Sequence, residues 1–97
     1  MASIRNLKKD IDYLTDLVVV DCLQALYYFK TIDEAAVSVI IGEMLVLRDE
    51  LRNRANHPDG KENKSITKSY YDKIAKELVE GCDSSYSKLS ELMEKVS

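Results

Sequence analysis

An all-α fold is predicted for this chain, in the form of an elongated up-down-up bundle of three long helices. Apolar residues recur three or four positions apart through most of the sequence, which is the period of an amphipathic helix. The chain also holds a single proline and three glycines, too few for the many tight turns of a sheet protein. Its 97 residues are enough for one modest hydrophobic core. We therefore treat residues 1–97 as a single helical-bundle domain.

The first helix is predicted to begin after Ser3, whose hydroxyl can cap the free N–H groups of the first turn. Its apolar stripe consists of Ile4, Leu7, Ile11, Leu14, Val18, Cys22, Ala25 and Phe29. A strict heptad would put Asp21 in this stripe, whereas a one-residue slip puts Cys22 there, and we favour Cys22. The alternative, a buried Asp21, would need a partner such as a tyrosine hydroxyl or an arginine, and Asp21 would then be a candidate functional residue.

The second helix is predicted to begin with a capping box formed by Thr31 and Glu34, each satisfying an N–H group of the other. The preceding loop is then short, which makes the first two helices antiparallel. The apolar positions of this helix are Ala36, Val39, Ile40, Met44, Leu47 and Leu51. Gly42 has two interpretations: a close approach of another helix, including one across a dimer interface, or a glycine that the helix tolerates.

The third helix is predicted from near Ser65 to the C-terminus, with Gly81 as a point where it can bend. Its stripe consists of Ile66, Tyr70, Ile74, Leu78, Cys82, Tyr86, Leu89, Met93 and Val96. Each helix would hold about 25 to 30 residues and reach some 35 to 45 Å.

The segment "AAVSVIIGEMLVL" of the second helix is apolar on more than one face. Three long helices have limited means to cover one another, so part of this surface needs another partner. A second copy of the chain is the simplest partner, because two-fold dimers are the commonest assemblies. We predict a homodimer, with a monomer or a different protein partner as the alternatives.

The net charge of −3 and the pI near 5.1 argue against binding to nucleic acid or to an anionic membrane, which requires a positive field. The N-terminal segment lacks the apolar core of a signal peptide, and no apolar run approaches the length of a membrane span. Cytoplasm is the expected location, and Cys22 and Cys82 are expected to be reduced thiols near the core.

No cofactor or metal is predicted. One histidine and two distant cysteines do not make a zinc site, and no Glu-x-x-His pair is present for a di-iron site. The carboxylates are expected on solvated faces and in ion pairs within helices.

The segment "RDELRNRANHPDGKENKS" contains the only histidine and the only proline. Proline disfavours a helical residue before it, so the second helix should end near Asn56, and "PDG" should form a turn. His57 would then lie near the negative end of the helix dipole, beside Arg52 and Arg54. As an ordinary helix end, this segment needs no further function.

Within that segment, "RNRANH" resembles the Arg-Asn-x-x-x-His motif of the HEPN endoribonucleases, which are small helical dimers. The resemblance implies that Arg52 stabilises a phosphate, that Asn53 completes the motif and that His57 is the acid or base of metal-independent RNA cleavage. Residues five apart on a helix point about 140° from one another, so Arg52 and His57 converge only if the helix unwinds before His57. A third hypothesis is an adaptor whose basic end, formed by Arg48, Arg54, His57 and Lys61, binds an acidic or phosphorylated partner.

As a whole, with "SIRNLKKDIDYL" at its start and "NHP" after the second helix, the chain resembles a group of small uncharacterised helical proteins of Bacteroidota. The resemblance implies a bacterial all-helical bundle without an assigned activity. The main prediction is therefore a non-enzymatic, cytoplasmic interaction or scaffold protein.

Overall fold

The computed structural model describes residues 4–57 and 63–97. They form three helices, α1 (Ile4–Tyr28), α2 (Glu34–Asn56) and α3 (Lys64–Glu94), and these segments contain no strand. Each helix packs against the other two in a rod of 53 × 19 × 16 Å. The predicted all-α bundle of three long helices is confirmed. The expected Ser3 cap, the "PDG" turn and Lys61 lie outside the described residues.

Polar contacts between the helices show their directions. Asp12, in the first half of α1, pairs with Arg52 near the end of α2, so these two helices are antiparallel. Asp21 and Tyr86, both in the second half of their helices, are hydrogen-bonded, so α1 and α3 are parallel. The chain therefore runs up, down and up, as predicted.

The core lies along the line where the three helices meet. Its buried apolar residues are Leu7, Ile11, Val18, Cys22, Ala25, Ile32, Val37, Ile40, Met44, Leu51, Ala55, Ile74, Leu78, Cys82 and Leu89. Cys22 is fully buried, which confirms its predicted place in the α1 stripe. Thr15 is buried too, and its hydroxyl donates to the carbonyl of Ile11 at 2.7 Å, so a polar group enters the core without losing a hydrogen bond.

Side chains cap the starts of α2 and α3, and the cap of α2 differs from the predicted one. The capping box of Thr31 and Glu34 is wrong: the N-cap of α2 is Asp33, whose Oδ1 accepts from the N–H of Ala36 at 3.0 Å. The N–H of Ile32 donates to the carbonyl of Phe29, which holds the chain in a turn until Asp33. The N-cap of α3 is Asn63, whose side chain accepts from two N–H groups of the first turn.

The predicted buried face of α2 is partly wrong. Val39 is exposed, and Val37 occupies the core instead. Ile66, predicted in the α3 stripe, is exposed as well. The close approach within the chain is at Gly81, the predicted bend point, where an added Cβ would collide with Cδ2 of Leu47. A Cβ at Gly42 would meet nothing within 4 Å.

Candidate functional site

The arginine of the ribonuclease-like motif is bound to another helix. Nη1 of Arg52 donates to both carboxylate oxygens of Asp12, at 2.7 and 2.8 Å. Both side chains are partly exposed. This pair joins the last turns of α2 to α1, so the guanidinium already has an anionic partner within the bundle.

The second arginine of this helix end is bound in the same way. Arg54 makes a bidentate ion pair with Glu77 of α3, with Nη1–Oε1 at 2.9 Å and Nη2–Oε2 at 2.7 Å. These hydrogen bonds, opposed by partial burial, hold the pKa of Glu77 below its ordinary value and raise the pKa of Arg54. The two arginines thus connect the end of α2 to both neighbouring helices.

His57 directly follows the last residue of α2. Its backbone N–H donates to the carbonyl of Arg54 at 3.3 Å, and its own carbonyl accepts from the hydroxyl of Tyr70 at 3.4 Å. The side chains of Asn53 and His57 are exposed. The helix therefore ends at Asn56, as predicted. His57 is not helical, so the angle of about 140° between residues five apart on a regular helix does not apply to Arg52 and His57.

The predicted basic end carries internal counter-charges. Arg48 donates to Asp49 at 3.2 Å, and Arg54 is bound by Glu77. Lys61 lies outside the described residues. The described arginines of this end are therefore neutralised by neighbouring carboxylates, which weakens the local positive field.

Asp21 has the partner that a partly buried carboxylate requires. The hydroxyl of Tyr86 donates to its Oδ2 at 2.6 Å, and the pair borders a shallow hollow between α1 and α3. Burial, reinforced by this hydrogen bond to a carboxylate, raises the pKa of Tyr86. The pair is a polar contact between α1 and α3, and the carboxylate of Asp21 is half-buried.

The two cysteines are free thiols in the core, and burial raises the pKa of both Cys22 and Cys82. A thiol that stays protonated and inaccessible is a poor nucleophile. Within residues 4–57 and 63–97, no group of His, Cys, Asp or Glu side chains is arranged to hold a metal ion. In the same segments, none of the helices combines the length and apolar character needed to cross a membrane.

Helix α1 has a second apolar face, opposite its core face, that sequence reasoning missed. It consists of Tyr13, Leu17, Val20, Leu23 and Tyr27, which we call the outer α1 stripe. The two tyrosines are 65% and 71% exposed, and Val20 is 47% exposed. These five residues are spaced three or four apart in the sequence, as the residues of the core stripe are, and this spacing could have revealed the second face.

Helix α2 also presents an apolar face to solvent, next to α3. We call this surface the α2 groove: it comprises two adjoining shallow hollows that share Glu43, its floor is Val39, Gly42 and Val46, and its rim carries Glu43, Glu50 and Glu91. Val39 and Val46 are 60% and 67% exposed. Lys88 also lines the groove and pairs with Glu43 at 3.1 Å, so the rim is acidic on balance.

Comparison of the chain with protein-family models, with curated proteins and with solved structures finds no match.

Proposed function

We propose that this chain is a cytoplasmic, non-enzymatic interaction protein whose α2 groove binds an amphipathic helix with basic flanks. The observation that supports it is the exposed apolar floor of Val39, Gly42 and Val46 beside the acidic residues Glu43, Glu50 and Glu91. A row of aliphatic side chains in water favours association, because removing apolar surface from water is favourable.

Gly42 makes the groove suitable for a helix. Nothing lies within 4 Å of the position that a Cβ would occupy there, so the backbone of α2 is open to close approach. A partner helix can set large side chains over Gly42 and pack others against the two valines. Apolar anchors at helical spacing are how helices bind grooves in general.

The charges of the rim select the partner. Glu43, Glu50 and Glu91 are opposed by Lys88 alone among the groove residues that the structure describes. Lysine or arginine beside the apolar face of a partner would complement them, whereas acidic flanks would be repelled.

Binding of two synthetic helical peptides tests this proposal. Both carry the same leucine face, and one has lysine where the other has glutamate on its flanks. We expect the lysine peptide to bind, more weakly as salt rises, and the glutamate peptide to bind at least tenfold more weakly. Fluorescence anisotropy of the labelled peptides measures both affinities.

A matched pair of variants locates the binding. Val46→Glu puts a charge on the floor of the groove and should abolish binding, whereas Val79→Glu changes a similarly exposed valine of α3 outside the groove. Equal binding of both peptides, or equal affinity of the two variants, would contradict the proposal.

The ribonuclease hypothesis on Arg52, Asn53 and His57, and the adaptor hypothesis on the basic end, stay predictions. Neither is favoured by the contacts of the described arginines, since Arg52 and Arg54 are each bound by a carboxylate.

A further inference from the structure

The outer α1 stripe is symmetric about Val20. Tyr13 and Tyr27 lie seven residues before and after it, and Leu17 and Leu23 lie three before and after it. At about 100° per residue, all five side chains point within about 60° of the direction of Val20. The stripe therefore reads Tyr-Leu-Val-Leu-Tyr in either direction along α1.

We propose that the outer α1 stripe is the interface of a homodimer in which α1 packs antiparallel against α1 of a second copy. A two-fold axis through Val20 brings each residue to the level of the one equally far on the other side. Tyr13 then lies level with Tyr27 of the partner subunit, and Leu17 with Leu23 of the partner subunit. An isologous interface requires this self-complementarity.

The polar residues beside the stripe agree with the same axis. Asp10 lies ten residues before Val20 on α1, and Lys30 lies ten residues after it, two residues beyond the end of α1, so opposite charges lie near each end of the interface. Nζ of Lys30 lies over the Tyr27 ring, 5.8 Å from its centroid, next to the place where Tyr13 of the partner subunit would sit. Asp16 and Gln24, four residues on either side, bring a carboxylate level with an amide.

The exposed area is sufficient for a weak dimer. The exposures of the five residues correspond to on the order of 500 Å² per chain in water, so complete mutual burial removes at most about 1,000 Å², the lower end for specific interfaces. Dissociation in the micromolar range is the expectation for an interface of this size without further contacts.

The α2 groove is less suited to a second copy. Its rim is acidic on balance, so pairing two α2 faces would bring like charges together. The dimer goes beyond the proposed function, because it uses a face of α1 and not the α2 groove. A failure of peptides to bind the α2 groove would therefore not contradict it.

Sedimentation equilibrium from about 1 to 500 µM tests the dimer, a range centred on the expected micromolar dissociation. The wild type should approach the mass of two 11.1 kDa chains as its concentration rises. Val20→Glu sets two carboxylates against each other on the axis and should raise the dissociation constant more than about a hundredfold. Val46→Glu and Val79→Glu, in the α2 groove and on α3, should leave it unchanged. A monomer at every concentration, or a dimer lost in Val46→Glu but kept in Val20→Glu, overturns the proposal.

Cysteine cross-linking tests the antiparallel direction. Under mild oxidation, Val20→Cys should form a disulfide-linked dimer, whereas Val79→Cys, at 51% exposure against 47% for Val20, should not. Tyr13→Cys mixed with Tyr27→Cys should give the cross-linked heterodimer, and each variant alone should give little. Self-linked dimers of each variant alone, without the heterodimer, would show parallel packing and overturn the proposal. The wild-type chain is the control, since Cys22 and Cys82 are buried.

Discussion

Tyr86 and Asp21 join α3 to α1 through a hydrogen bond of 2.6 Å between the phenol hydroxyl and Oδ2. The phenol is partly buried, and its acceptor is a half-buried carboxylate. A hydrogen bond to a charged group is shorter and stronger than a neutral one. The pair therefore stabilises the packing of α1 against α3 at the level where α1 approaches its end.

Tyr86→Phe should lower the free energy of unfolding by about 1 to 2 kcal/mol, because it removes a hydrogen bond to a carboxylate that stays half-buried. Urea unfolding followed by circular dichroism measures the loss. Tyr28→Phe is the matched control, since Tyr28 is exposed at the same hollow and makes a ring contact with Tyr27. Equal losses in the two variants would show that the hydrogen bond contributes nothing.

The same pair has a consequence at alkaline pH. Burial and Asp21 raise the pKa of Tyr86 above its ordinary value of about 10. The folded state thus holds this proton more tightly than the unfolded state does. The stabilisation is complete below the unfolded pKa and is lost as the pH rises towards the folded pKa.

The sequence indicates that such a pair is possible but not its geometry. A tyrosine hydroxyl or an arginine is the partner that a buried Asp21 would need, as the alternative to the favoured Cys22. In the structure, Cys22 is in the core and the half-buried Asp21 is paired with Tyr86. Which of six tyrosines would reach Asp21 depends on the register of α3 against α1, and helical periodicity along one helix carries no information on register. The pairing of Arg52 with Asp12 escaped prediction for the same reason.

The phase of α2 was harder to predict than that of α1, because apolar residues occur on several of its faces. Val37 and Val39 both lie three or four residues from other apolar positions, so the sequence supports either as a core residue. The packing of two other helices selects Val37 and leaves Val39 in water. The exposed faces are therefore what three helices leave uncovered, and they become visible only once the bundle is assembled.

Stability in acid should depend on Glu77. Hydrogen bonds from Arg54 hold the pKa of Glu77 below its ordinary value of about 4.3, so its contribution is complete above that pH and is lost as the pH falls through the folded pKa. Glu77→Gln should lower the free energy of unfolding by up to about 1 kcal/mol at pH 7, since the pair is partly exposed, and by less at pH 3. Urea unfolding at both pH values measures the difference.

Glu80→Gln, one turn away on α3, is the control for this prediction. Glu80 approaches Lys76 only to 3.9 Å, and both side chains are largely exposed. Its effect should be small at either pH, and an equal response of the two variants would contradict a special role for Glu77.

The two helical glycines should respond differently to alanine. Gly42→Ala should raise the free energy of unfolding by about 0.5 to 1 kcal/mol, because alanine favours the helix and its Cβ enters open space. Gly81→Ala should raise it by less, because the new methyl must displace Cδ2 of Leu47 and this cost offsets part of the gain in helix propensity. Thermal unfolding of the variants measures both changes. Leu47→Val should increase the gain from Gly81→Ala but not that from Gly42→Ala, and the absence of such coupling would show that Leu47 does not set the close approach.

The ribonuclease hypothesis makes a direct prediction about Arg52 and His57. Since Nη1 of Arg52 is held by both oxygens of Asp12, we expect the wild type and an Arg52→Ala/His57→Ala variant to leave single-stranded RNA equally intact. Nuclease-free protein incubated with labelled RNA over a range of pH, and analysed on a gel, measures this. Asp12→Asn is a further test, because it weakens the ion pair with the guanidinium of Arg52 and leaves the residues of the motif unchanged. Cleavage by the wild type that the double variant lacks, and that Asp12→Asn alters, would make the end of α2 an active site and overturn the non-enzymatic function.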